Sequence, residues 1–269
     1  MKTNHKISIM QAGLSVLCGV VLAVHRSRPA STGAAMAVVG LAAAIVLALG
    51  GLGICQLREK LQLKPASPDK LGFSILALSG FLYLLAAAFF FLENTASLLG
   101  IIIALFCGFC GVATILRVSQ RDSGKTAAVY SLVPIFFLSF FLLMLYRSNG
   151  DNPNLRLFGY EIAVMLLVLL GMYLAVAGRF EGDRPRFRSI GCSIGFCLIA
   201  QEMISFLLMP QMLLSIPDFS VAALVMLLAC GLLLCYGMFF PSVREVFPEP
   251  AVEDADTSEE ETENPASPS

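Results

Sequence analysis

Eight stretches of this chain, at roughly 7–24, 33–56, 71–92, 96–116, 126–146, 157–177, 189–209 and 219–240, run almost without a charged side chain. A helix rises about 1.5 Å per residue, so about 20 such residues cross the hydrocarbon layer of a bilayer. No other feature restricts the fold as much. In hydrocarbon every backbone amide and carbonyl needs a partner within the protein, and a helix supplies its own. Spanning strands need only about ten residues and alternate in polarity, which these runs do not. The expected fold is an all-α membrane protein, a polytopic helical bundle of about eight transmembrane helices over residues 1–240. Composition agrees: 57% of residues are hydrophobic and 14% charged, with a mean hydropathy of +0.81. A water-soluble chain of that kind would lack the polar residues to cover its surface.

The opening "MKTNHKISIMQAGLSVLCGVVLAV" has the basic start of a signal peptide. Its apolar run is longer than a signal core, and no small-x-small cleavage site follows. An uncleaved first span is expected. The eight cysteines fall in or beside apolar runs rather than polar loops, so they read as small hydrophobes and not as a disulfide framework.

Charge then orients the bundle. With eight spans, Lys2, Lys6, Arg58, Lys60, Lys64, Lys70, Arg117, Arg121, Lys125, Arg179, Arg184, Arg186, Arg188 and Arg244 share one side. Arg26, Arg28, Arg147 and Arg156 share the other, a split of 14 to 4. Basic loops stay in the cytoplasm, so both termini are expected there, with the protein in the plasma membrane. The breaks "ENTAS" and "PQMLLSIPD" are short, so spans three and four, and seven and eight, should form antiparallel hairpins. Residues 241–269 carry nine acids, one Arg and five Pro, the composition of a disordered acidic tail. A basic cytoplasmic partner would suit it. The halves also match at three points, "VHRSRP" with "LYRSNG", Arg58 with Arg179, and "KLGFSI" with "SIGCSI". These would make two parallel four-helix repeats, an arrangement transporters use.

Motif-like fragments carry little. "SGKT" ends like a phosphate-binding loop, but Ser119 stands where the first Gly belongs and a helix, not a strand, precedes it. "CGFC", Cys107 to Cys110, has redox spacing but lies mid-span, where thiols meet no partner; Gly108 and Gly111 beside it suggest close helix packing. Pro134 interrupts the fifth span and marks a kink. With two histidines and no intramembrane Asp pair, no catalytic residue, metal or cofactor is expected.

The informative residues are two acids inside spans. Glu202 sits in "CLIAQEMISFLLMP", about 10 Å from the span's end, and Glu161 lies roughly 6 Å below Leu157 in the sixth span. A carboxylate near mid-bilayer costs about 2.5–3.5 kcal/mol on insertion scales. Gly191, Gly195, Leu198, Glu202 and Met209 form one helical stripe flanked by Ser205, and the small residues mark it as a packing face. The opposite face, Phe196, Ala200, Ile204 and Leu207, suits lipid. The expected site is an outward vestibule built from Glu202, Glu161, Ser205, Tyr146 and Arg147, with Arg156 and His25 near its mouth. The expected activity is transport of a small polar or cationic solute; the rival is a scaffold, sensor or accessory subunit working through loops and tail. Partners are the lipid bilayer and such a solute, with no nucleic acid.

Overall fold

The computed structural model describes residues 2–27, 70–94, 97–119, 124–149, 155–181, 185–210 and 220–239. Within them the chain forms seven helices: α1 (Lys2–Ser27), α2 (Lys70–Glu93), α3 (Leu98–Ser119), α4 (Gly124–Asn149), α5 (Leu155–Glu181), α6 (Pro185–Leu208) and α7 (Val221–Phe239). They coincide with seven of the eight apolar runs. The run at 33–56 and the tail at 241–269 lie outside the described residues. Five helices, α2, α3, α4, α6 and α7, are long and apolar enough to cross a membrane; α1 and α5 contribute shorter apolar stretches, Ile9–Val24 and Glu161–Ala177.

The distribution of side chains matches a lipid solvent. Leu98, Leu105, Leu143, Phe136 and Phe81 are all more than half exposed, while Gln11, Ser15, Glu161, Gln201, Glu202 and Ser205 are fully buried. Such an apolar exterior belongs against hydrocarbon.

Close helix contacts are made where side chains are missing. A Cβ on Gly171 would lie 2.6 Å from the Gly191 carbonyl oxygen, and one on Gly111 2.9 Å from that of Gly80. These glycines let α5 approach α6, and α2 approach α3, almost backbone to backbone. Cys107 sits at the second of these contacts and Cys110 turns to α4, both as packing groups: their thiols donate to the Tyr83 and Val133 carbonyls at 3.4 and 3.7 Å. All seven described cysteines are free thiols.

Helix directions follow from who touches whom. Gly80 meets Gly111, Gly108 meets Ala87, and α2 and α3 form the expected antiparallel hairpin. Gly231 meets Ile199 and Gly237 meets Cys192, so α6 and α7 form the other. On α2, Ser79 donates to the Ala229 carbonyl of α7 at 2.9 Å, while Leu76, one turn earlier, packs on Tyr236, so that pair too is antiparallel. By contrast Gln11 bonds Ser189 and Ser193 while Gly19 lies against Cys197 and Gln201, which makes α1 parallel to α6. It follows that α1 and α2 point the same way. The halves pair differently: α1 packs closely along α6, whereas α2 and α4, the pair a parallel repeat would match to them, touch through the rings of Phe90 and Phe141.

Candidate functional site, a buried polar centre

α6 is the axis of the site because it touches three helices, α1, α5 and α7. On the α5 side, Val168 lies against Gly195 and Gly171 against Gly191, in antiparallel register. Glu161 is seven residues before Val168, and Glu202 is seven residues after Gly195. Two helical turns in opposite chain directions therefore bring both acids to the same level and the same interface. Both carboxylates are fully buried. Each stands six residues from its helix end, about 9 Å inside.

The α1 side supplies what sequence alone does not. A Cβ on Gly19 would lie 2.8 Å from the Cys197 carbonyl oxygen and 2.9 Å from the Gln201 amide nitrogen. That glycine lets α1 close over Gln201, which is fully buried beside Glu202. The Gln201 Nε2 donates to Glu202 Oε1 at 3.3 Å. Its Oε1 and the Ser205 Oγ, both buried, have no hydrogen-bond partner among the described residues. Buried polar atoms of that kind mark a place where something else bonds, or where stability is given up.

The face of α6 expected to meet lipid needs correction. Leu207 is exposed, at 78%, but Ala200 would contact a side chain on Gly19 at 3.0 Å and so lies against α1. Apolar character does not distinguish the two, because a helix neighbour and a lipid tail are equally apolar. Tyr146 and Arg147 are also placed differently from the expected vestibule. They lie on the last turn of α4, at the same end of the bundle as the acids, but both are exposed. The structure brings together Glu161, Gln201, Glu202 and Ser205, and leaves Tyr146 and Arg147 outside that group. The side chains of His25 and Arg156 lie outside the described residues.

A second polar seam joins α1 to α6 nearer the other end. Gln11 Nε2 donates to Ser189 Oγ at 2.6 Å, Ser193 Oγ at 2.5 Å and the Ser189 carbonyl at 3.2 Å. The signal for both seams is present in sequence: Gln11 and Gln201 are amides inside apolar runs, like Glu202.

Of the clefts among the described residues, two are well formed, and neither is lined by Glu161 or Glu202. One, at the end bearing Tyr146, is lined by Glu93, Asn94, Ser97, Ser148 and Ser220 among apolar residues. The other, at the opposite end, is bordered by Arg117, Tyr130 and Tyr236. Among the described residues no three His, Cys, Asp or Glu side chains gather as a metal site.

Apolar helices around a buried polar centre define the class, a helical membrane protein. No family model matches the chain, and no curated protein or solved structure matches it significantly.

Proposed function

We propose that the protein is a transporter or permease for a small polar or cationic solute, acting through the centre formed by Glu161, Gln201, Glu202 and Ser205. One observation carries this reading: two fully buried carboxyl groups lie at one level on the facing helices α5 and α6, beside a buried amide that α1 covers. Acids are rare inside spans, and those present mark solute pathways and proton relays. A carboxyl there takes up a proton as a bound cation leaves and releases it as the next arrives. Gln201 and Ser205 supply oxygen acceptors for the same cation. Glu93, at the mouth of the nearer cleft, is an entry point for positive charge.

The topology belongs to the same proposal: eight spans, both termini cytoplasmic, in the plasma membrane. Its support is the 14-to-4 basic split and the parallel course of α1 and α2. Two successive described helices that point the same way require the chain between them to return, and 33–56 is the apolar stretch long enough to do so.

A second reading, a non-transporting scaffold or accessory subunit, is favoured by the enclosure of the acids away from both clefts. The test separates them. The purified protein is screened by thermal shift against alkali cations, ammonium and small amines, alongside Glu202→Gln. The transporter reading expects a stabilising solute whose effect disappears in Glu202→Gln, although that variant folds. If no solute stabilises the wild type, or the effect survives the substitution, the centre is structural and the scaffold reading stands.

A further inference from the structure

The cleft at the same end of the bundle as the buried acids has its own chemistry. It lies between α2, α3, α4 and the start of α7, and neither Glu161 nor Glu202 is in its lining. Its rim carries Glu93, Asn94, Ser97, Ser148 and Ser220, and its floor is made of Phe90, Ile103, Phe141 and Leu145. The cavity measures about 270 Å³. Small-molecule pockets run from about 300 to 1,000 Å³, so this one suits a small ligand. We propose that it binds a small arylalkyl amine, with the ammonium on the Glu93 carboxylate and the aromatic body on the apolar floor. The proposal is independent of transport through the buried centre.

Glu93 decides the sign of the ligand. Among the described residues it is the only charged one in the lining. Its side chain is exposed and has no ion pair or hydrogen bond among the described residues. Arg147 stands on the last turn of α4 but does not line the cleft. Helix ends do not reverse the sign. α2 and α4 turn their C-termini to this end and α3 and α7 their N-termini, so the dipoles oppose one another. The rim also supplies acceptors for the ammonium. The Ser148 Oγ donates to the Met144 carbonyl at 2.9 Å, which leaves its lone pairs to accept. Ser220 stands just before α7, where a hydroxyl ordinarily accepts an amide hydrogen from the first turn. Here its Oγ is buried and has no hydrogen-bond partner among the described residues. A buried hydroxyl in that state is available to a ligand.

Depth and spacing decide the body. Phe90 and Phe141 are buried, with ring centres 5.8 Å apart. Glu93 follows Phe90 by three residues, on the same face of α2 and about 4.5 Å nearer the helix end. A two-carbon link between ring and nitrogen spans that rise. An aromatic body against such rings gains more than its buried area alone gives. A phospholipid headgroup matches this order poorly, because a phosphate separates its ammonium from its apolar chains. Asn94 closes the rim over the first turn of α3. Gly100 lacks the side chain that would collide with it, and the Asn94 carbonyl accepts the Ser97 amide at 3.1 Å.

The full-length protein is purified in maltoside micelles, and its melting temperature is measured with phenethylamine, with phenethyl alcohol or with added phosphatidylethanolamine. Phenethylamine near saturation should raise it by about 2–4 °C. Phenethyl alcohol, of the same size but without the charge, should not. Glu93→Gln should abolish the rise. Glu249→Gln, which removes the same charge from the tail, and Glu202→Gln, which alters the buried centre, should both keep it. Ile103→Phe fills the floor and leaves Glu93 in place, so it should also abolish the rise. No rise with phenethylamine, an equal rise with the alcohol, or an equal rise in Glu93→Gln overturns the proposal. A rise kept in Glu93→Gln and lost in Glu202→Gln assigns the amine to the buried centre, which supports the transport reading and overturns this one. A rise with phosphatidylethanolamine alone assigns the cleft to a lipid headgroup and overturns it likewise. If Glu93→Gln does not fold, Ile103→Phe decides, and an undiminished rise there overturns the proposal.

Discussion

The α2–α3–α4 region and the α1–α5–α6 region are held together by partly different means. In the first, rings meet rings: Phe106 lies 5.3 Å from Phe137 and 5.9 Å from Phe140, and Phe90 lies 5.8 Å from Phe141. Glycines bring backbones together in both, at Gly80 and Gly111 as at Gly171 and Gly191, but in the second buried amides and carboxylates fill the remaining space. Between spans the hydrophobic effect supplies little, because lipid is as apolar as the core. The first region therefore depends on shape. The second adds directional bonds between helices, and the buried carboxylates and amides lie there. Stability and function should accordingly be separable by region.

The largest effect should come from the aromatic side. Phe137 is fully buried. Phe137→Ala should destabilise the protein by about 3–5 kcal/mol in reversible unfolding in mixed micelles, because it removes a ring and leaves a cavity. Solute affinity of the folded fraction should be unchanged. If affinity falls with stability, the two regions are one unit.

Next comes the glycine seam. Gly171→Ala places a methyl 2.6 Å from the Gly191 carbonyl oxygen and should cost about 1–3 kcal/mol in the same assay. At Gly13 nothing lies within 4 Å of the position a methyl would take. It is the internal control, and Gly13→Ala should be neutral or slightly stabilising. Equal costs at both sites would show that propensity, not approach, governs these positions.

The polar seam should matter less to stability. Gln11→Leu removes three hydrogen bonds to α6, yet bonds between spans average only about 0.6 kcal/mol. A loss of about 1 kcal/mol is expected. Solute binding should not change, since Gln11 is at the other end from Glu202. Smallest of all, truncation after Phe247 should leave the melting temperature unaltered, as expected of a solvated acidic tail. A marked drop would mean that the tail packs on the bundle.

Much of the architecture is legible in the sequence because bilayer thickness sets a length that a chain can be scanned for. Apolar length alone places the third span at 71–92, and α2 is Lys70–Glu93. The glycine stripe of α6 is legible too, since Gly191 and Gly195 announce a close neighbour. Which helix lies on the other side is not. In water, an apolar face means core; in lipid it means core or solvent alike, so Ala200 reads as lipid-facing and lies instead on α1. For the site, Glu161 and Glu202 are visible as charges out of place. Gln201 is equally out of place, but an amide costs less to bury than a carboxylate and stands out less. Tyr146 and Arg147 lie at the same end of the bundle as the acids, and that does not say which way a side chain turns.

The partnership of α1 with α6 has a consequence for how the protein is made. Gln11 and its partners Ser189 and Ser193 are 178 and 182 positions apart along the chain. Ribosomes add about 5–20 residues per second, so roughly 9–36 s separate the appearance of the two surfaces. For that interval the first helix waits in the bilayer with an amide, a serine and the Gly19 groove turned toward lipid or the insertion machinery. Assembly thus includes a late return of the oldest segment to one of the youngest, which closes α1 over Gln201.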